Sequence, residues 1–189
     1  MYMKKIFICT FVFILGVVLS GCGDDNETTD IHWAILCSTD LLDFVTPVVS
    51  YTDEAGNKID KELNDSDWDR SGKIHLGNAT NFVELTGIEN AWQEEVKVNT
   101  FGYTQAISVR YILKKEIKFD PNKDYVFTHD IVCKVFATSD SNVSHSSYSN
   151  ITVGKKLNAE EAEVYVEKLI SASDRRVITI DSKGKITIN

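Results

Sequence analysis

The chain has 189 residues and a formal charge of −8 at neutral pH, with 28 acidic against 20 basic side chains. At 43% hydrophobic and 25% charged residues it has the composition of a globular protein, long enough for one sizeable core rather than for a disordered chain. The acidic balance argues against nucleic acid as a partner, which needs a basic stripe, and against direct adhesion to anionic lipid.

The first element is an export signal. Lys4 and Lys5 precede an apolar run from Ile6 to Leu19, interrupted by Thr10 and Gly16, the order of a charged and then a hydrophobic region in a secretory signal. As a helix the run covers about 21 Å, short of the roughly 30 Å hydrocarbon core, so it is not expected to span a bilayer. It ends in Leu19-Ser20-Gly21-Cys22, which resembles the lipobox of bacterial lipoproteins. The resemblance covers residues 1–22. It implies cleavage between Gly21 and Cys22 and acylation of Cys22, which then becomes the mature N-terminus. Several acyl chains hold a protein stably at a membrane where a single chain does so only marginally.

The tract Gly23-Asp24-Asp25-Asn26-Glu27-Thr28-Thr29-Asp30 has no apolar side chain and is expected to be a disordered spacer. Carboxylates directly after the cysteine resemble the acidic export signal of Bacteroidetes-type surface lipoproteins, which implies an outer-membrane, surface-exposed address. The organisation expected is therefore a removed signal peptide at 1–21, a lipidated cysteine and acidic linker at 22–30, and a single domain at 31–189. Loss of Lys4 and Lys5 with the signal takes the formal charge from −8 to −10.

The body reads as strands. Ile31, Trp33, Ile35 and Cys37 fall at every second position, as do Val45, Pro47, Val49 and Tyr51. Pro47, which lacks an amide hydrogen, predicts an edge strand or a bulge for the second run. Residues 60–91 are polar, with short apolar pieces, and predict a long loop with one or two short strands. Further alternating runs are Ile107-Val109-Tyr111-Leu113 and Tyr125-Phe127-His129-Ile131-Cys133-Val135. Turn signals separate the runs at 53–58, 86–90, 119–124 and 139–142.

A helix is predicted after Asn158, which forms a capping box with Glu161. Ala162, Tyr165, Val166, Leu169 and Ile170 make its apolar stripe. The closing segment Val177–Ile180, "DSKGK", Ile186–Ile188 predicts a hairpin turning at Gly184. Many short strands with one late helix give a mainly β fold: an immunoglobulin-like β-sandwich with one C-terminal α-helix and a terminal β-hairpin. The approach "FDPNKDYVF" resembles that to a late strand of immunoglobulin- or fibronectin-III-like domains. Cys133 nonetheless lies eight residues after Tyr125, not the two of a tyrosine corner.

Candidate chemistry is sparse. Cys9 leaves with the signal and Cys22 carries lipid, so Cys37 and Cys133 remain, either bridged in an oxidising compartment or as two buried thiols. Asp65, Asp67 and Asp69 alternate as calcium-loop ligands do, but Arg70 and Leu76 replace the glycine and glutamate that an EF-hand loop requires. No metal or other cofactor is therefore expected. No nucleophile elbow, phosphate loop or paired-histidine motif occurs, and no catalytic residue is assigned. His129, set among apolar neighbours, is expected to be a partly buried imidazole.

Trp68 and Trp92 lie in or beside polar sequence and are the candidate ligand contacts, where an indole could stack on a sugar or anchor a protein. The function expected is a non-enzymatic, lipid-anchored binding or assembly module for a glycan or protein, attached to the membrane through its lipid. The alternatives are a surface hydrolase using acidic residues and a structural subunit that adds strands to a partner.

Overall fold

The computed structural model describes residues 26–114, 118–140, 142–149 and 154–189. The expected mainly β sandwich is what the chain forms, with its late helix and terminal hairpin. One antiparallel sheet has four strands, β1 (Thr28–Cys37), β6 (Asn90–Val98), β9 (His129–Ser139) and β10 (Asn142–Tyr148), in the order β10-β9-β1-β6. The other has five, β2 (Val45–Thr52), β3 (Lys58–Glu62), β7 (Tyr103–Leu113), β12 (Ser173–Ile180) and β13 (Ile186–Ile188), in the order β13-β12-β7-β2-β3. Edges β10 and β13 approach each other and close that side of the sandwich.

Period-two alternation builds the core. Ile31, Trp33 and Ile35 of β1 and Ile131, Cys133 and Val135 of β9 meet Val45, Val49, Ile107, Val109, Ile178 and Ile180 from the opposite sheet. Each aliphatic side chain removed from water in this way contributes about 1.5–3 kcal/mol. Strands β1 and β9 are covered on their other face too. There Ala34, Leu36 and Val132 pack under Ile74 and Leu76 of a hairpin formed by β4 (Lys73–Gly77) and β5 (Phe82–Thr86). Burial on both faces explains why these two runs are so continuously apolar.

The polar stretch 60–91 therefore carries more structure than its composition predicts. It contains the end of β3, a 3₁₀ turn at Asp65–Asp67, the covering hairpin and the start of β6. Strand β1 also begins earlier than alternation indicates. Thr29 is fully buried, and the Glu27 carboxylate accepts the Phe101 amide at 3.1 Å. Residues 28–30 of the expected spacer thus belong to the sheet.

The expectation for Pro47 is corrected as well. Strand β2 lies between β3 and β7, and its register is unbroken on both sides. A proline is tolerated because β3 ends beside it. Leu63 N donates to Pro47 O at 2.9 Å, so the nitrogen of Pro47 faces the same flank, where paired strand stops at Glu62. One ladder bond is lost at the strand's end, where the loss costs least.

After the short helix α1 (Thr39–Leu42) and the bridging pair β8 (Tyr125–Val126) and β11 (Lys156–Leu157), helix α2 (Ala159–Ile170) packs its stripe against β7 and the core. Its capping box is complete, with Asn158 Oδ1 accepting from Glu161 N at 2.9 Å and Glu161 Oε2 accepting from Asn158 N at 3.1 Å. The closing hairpin turns at Gly184, whose φ of 77° suits glycine.

Sheet edges are guarded. On the outer side of β6 the Ala91 amide is bonded to Asp69 O, the Glu95 amide to the Glu94 carboxylate and the Lys97 amide to that of Glu54. Edge strand β3 carries Lys58, Asp60, Lys61 and Glu62. Both devices disfavour pairing with a foreign strand.

Candidate functional site

The alternation of β12 determines what stands at one end of the sandwich. Ile180 and Ile178 point into the core. Two and four residues earlier, Arg176 and Asp174 point the same way, in register with core residues Ile107 and Val109 of β7. An ion pair is thus carried onto an apolar face, and strands from the other sheet meet it. The Arg176 guanidinium donates from Nη1 to Asp174 Oδ1 at 3.0 Å and to Arg175 O at 2.9 Å. From Nη2 it reaches Tyr148 Oη at 2.9 Å and Asp130 Oδ1 at 3.4 Å. Its carbon lies 4.4 Å from the centre of the Tyr148 ring. Asp130 Oδ1 also accepts the amide of Ile131 at 2.7 Å.

His129, next along β9, stands edge-on to Tyr111 at 5.3 Å and to Tyr165 of α2 at 6.3 Å between ring centres. Burial, helped by the nearby Arg176 charge and opposed by Asp174, holds its pKa below the usual histidine value, so the imidazole is neutral at pH 7. Asp130 is shifted the other way. Burial raises its carboxyl against the pull of the Ile131 amide and of Arg176.

Three adjoining hollows of about 380, 360 and 350 Å³ share His129 as a wall. The first is bounded by Tyr165, Lys168, Leu169, Ala172 and Asp174. The second adds Asp130, Tyr148, Lys155 and Arg176. The third runs over Asp130 and Thr128 towards Gly87 and Glu89. Gly154 borders two of them, and the chain passes so close there that a Cβ would lie 2.6 Å from Val126 Cγ1 and 2.8 Å from Thr128 Cγ2.

The polar atoms of this cleft are not all matched. Asp130 Oδ2, Arg176 Nε and His129 Nδ1 are buried without a protein partner. Buried polar atoms are nearly always paired, and each left unpaired costs about 1–3 kcal/mol. Half of the orphaned side-chain atoms among the described residues thus gather around one cleft.

The side chains singled out from sequence lie elsewhere. Gly21 and Cys22 are outside the described residues. Trp68 and Trp92 are corrected as ligand contacts, because only 8% and 6% of their surface is exposed. Trp92 packs edge-on against Trp33 at 5.1 Å beneath the Lys61 ammonium. Asp65, Asp67 and Asp69 do not converge. Asp65 pairs with Lys114 at 3.2 Å, Asp67 pairs with Lys61 at 3.0 Å, and Asp69 accepts the Ser71 amide at 2.8 Å.

Cys37 and Cys133 are both buried and both free, so the bridge between them is corrected too. Cys37 stands opposite His129 and Cys133 opposite Trp33, four positions apart along the β1–β9 pair. That is about 13 Å at 3.3 Å per residue, well beyond a disulfide's Cα reach of about 7 Å. Burial pushes both thiols up to about 12. Despite its histidine neighbour, Cys37 is therefore a protonated core side chain and not a nucleophile. Native protein is expected to leave Cys37 and Cys133 unlabelled by a thiol reagent at pH 8, and unreduced protein in denaturant to take up label at both. A denatured, unreduced sample that still excludes the label would establish the bridge.

Fold and cleft define a β-sandwich with a partly charged, aromatic-walled hollow at one end. Compared with known protein families, curated proteins and solved structures, the chain matches none.

Proposed function

We propose that this protein is a lipid-anchored outer-membrane lipoprotein, displayed at the cell surface, whose β-sandwich binds a ligand in the His129 cleft without transforming it. Cys22 is the tether and the acidic residues after it are the spacer. The lipid supplies the membrane attachment. No helix among the described residues is long and apolar enough to cross a bilayer.

One observation carries the binding role: three adjoining hollows that share His129 and are walled by aromatic, acidic and basic side chains on a rigid two-sheet scaffold. The non-catalytic role is supported by the protonated Cys37 thiol and by an Arg176 guanidinium already engaged with two carboxylates and a tyrosine. The capped edge of β6 weighs against strand addition at that edge.

Cys22→Ala is the direct test of the anchor. The wild-type mature protein is expected in the membrane fraction, with an acylated N-terminal cysteine by mass spectrometry. The variant is expected to be uncleaved or soluble and to carry no acyl mass. A variant retained in the membrane as firmly as the wild type would remove the anchor.

A further inference from the structure

The chain leading into β1 is fixed to one end of the sandwich by three contacts. Asn26 Nδ2 donates to Asp140 Oδ1 at 3.3 Å, the Phe101 amide donates to the Glu27 carboxylate at 3.1 Å, and Thr29 Oγ1 donates to Thr100 O at 3.1 Å. The closing turn joins the same end, where Gly102 N donates to Asp181 O at 3.3 Å and Gly184 lies against the Phe101 ring. Residues 26–29, 99–102 and 181–185, with Asp140 beside them, thus form the base of the sandwich.

This pinning leaves little chain for a tether. From Cys22 to Asn26 the backbone spans at most about 14 Å, whatever path it takes. The whole acidic tract to Asp30, were it free, would reach roughly twice as far. The cleft lies at the other end of the same strand. β1 runs from Thr28, paired with Thr138, to Cys37, paired with His129. At 3.3 Å per residue Cys37 stands about 36 Å from Asn26, so Cys22 comes no nearer to this end than about 20 Å.

A body held at its base by so short a chain, beside a flat bilayer, keeps its far end raised in most orientations. Lying flat is a narrow set among them and needs an attraction along the flank to hold it. The acidic chain supplies none towards anionic headgroups. The base itself carries Glu27, Asp140 and Asp181 beside Lys183 and Lys185, so the tether and not charge holds it down. Among the described residues the most exposed large apolar side chain, Val143 at 60%, also stands at this end, one position into β10.

We propose that this base is the bilayer-facing surface of the protein, with Val143 close to the headgroups, and that the His129 cleft opens away from the membrane to a partner arriving from the aqueous side. The proposal rests on the Cys22 anchor argued above and adds the side from which the cleft is reached.

The test places one fluorophore at a time on the full mature lipidated protein, at Lys183→Cys or Ser182→Cys in the base and at Lys168→Cys or Glu167→Cys beside the cleft. All these positions are exposed, whereas Cys37 and Cys133 are buried. The protein is reconstituted in phosphatidylcholine vesicles with a quencher on the headgroups, and flotation and circular dichroism report binding and fold. Given the length of β1, quenching at the base is expected to exceed that beside the cleft about threefold or more. A Gly/Ser insertion of about twelve residues after Gly23 should lower base quenching about twofold or more, because the tether then reaches much further. Equal quenching at both ends, or stronger quenching beside the cleft, in protein that floats with the vesicles overturns the orientation and leaves the anchor standing. Base quenching unchanged by the insertion overturns it as well, since tether length then does not set the position. Lipidated protein that fails to float overturns the anchor and the orientation together.

Discussion

Replacing Trp33 with alanine is expected to destabilise the domain by about 3–5 kcal/mol, the usual cost of removing a large aromatic side chain from a core. For a chain of this length the midpoint of thermal unfolding should fall by roughly 6–20 °C. Trp33 has no exposed surface and stands at the crossing of the two sheets. It packs edge-on against Tyr51 and Trp92, each at 5.1 Å between ring centres, a geometry that aromatic quadrupoles favour. Its indole Nε1 is buried without a partner. Trp33→Phe removes that unpaired donor along with part of the volume and should therefore cost clearly less than alanine. Trp68→Ala and Trp92→Ala should also act through stability, since both indoles are buried. Thermal melts of the four variants check the order, and a loss below about 1 kcal/mol for Trp33→Ala would show that this core is not organised around the indole.

The same indoles show what sequence could and could not convey. Strands at 31–37, 107–113 and 129–135 were legible because one residue in two faces the same core, and helix 159–170 because its cap and its stripe agree. Trp68 and Trp92 misled because polar neighbours describe only the local chain. Their cover comes from β3, β1 and Tyr51, which are distant in sequence. Pro47 misled for a related reason: whether its missing amide hydrogen matters depends on where β3 stops.

The cleft was hidden more deeply, since His129, Tyr148, Tyr165 and Arg176 arrive from three strands and a helix. One clue was nevertheless present. Extending the alternation of Ile180 and Ile178 backward places Arg176 and then Asp174 on the buried face. Charges there require partners, and those partners locate the site.

Arg176→Ala is expected to be the other severe change, costing about 3–5 kcal/mol at pH 7–8, because it leaves buried carboxylates without their cation. The size of the loss should depend on pH, and its direction follows from two groups. Asp130 already has a pKa raised by burial, and Arg176 is one of the groups holding it down. Without the guanidinium it rises further, so the folded variant takes up a proton at a pH where the unfolded chain, near 3.9, does not. Acidification from pH 7 towards 4 therefore stabilises the variant relative to the wild type. His129 acts in the same direction. Its depressed pKa makes the wild type lose stability as pH falls below about 6.5, and Arg176 contributes to that depression. Removing Arg176 lets the imidazole rise towards its ordinary value and lessens the loss. The deficit of Arg176→Ala should thus be largest at pH 8 and shrink steadily towards pH 5 in urea titrations. Asp130→Asn in the same background, having no charge to strand, should recover roughly half of the deficit or more at pH 8 and flatten the pH dependence. A deficit independent of pH would mean that Arg176 stabilises the sandwich through the packing of its guanidinium over the Tyr148 ring, and that the carboxylates at the cleft reach solvent on their own.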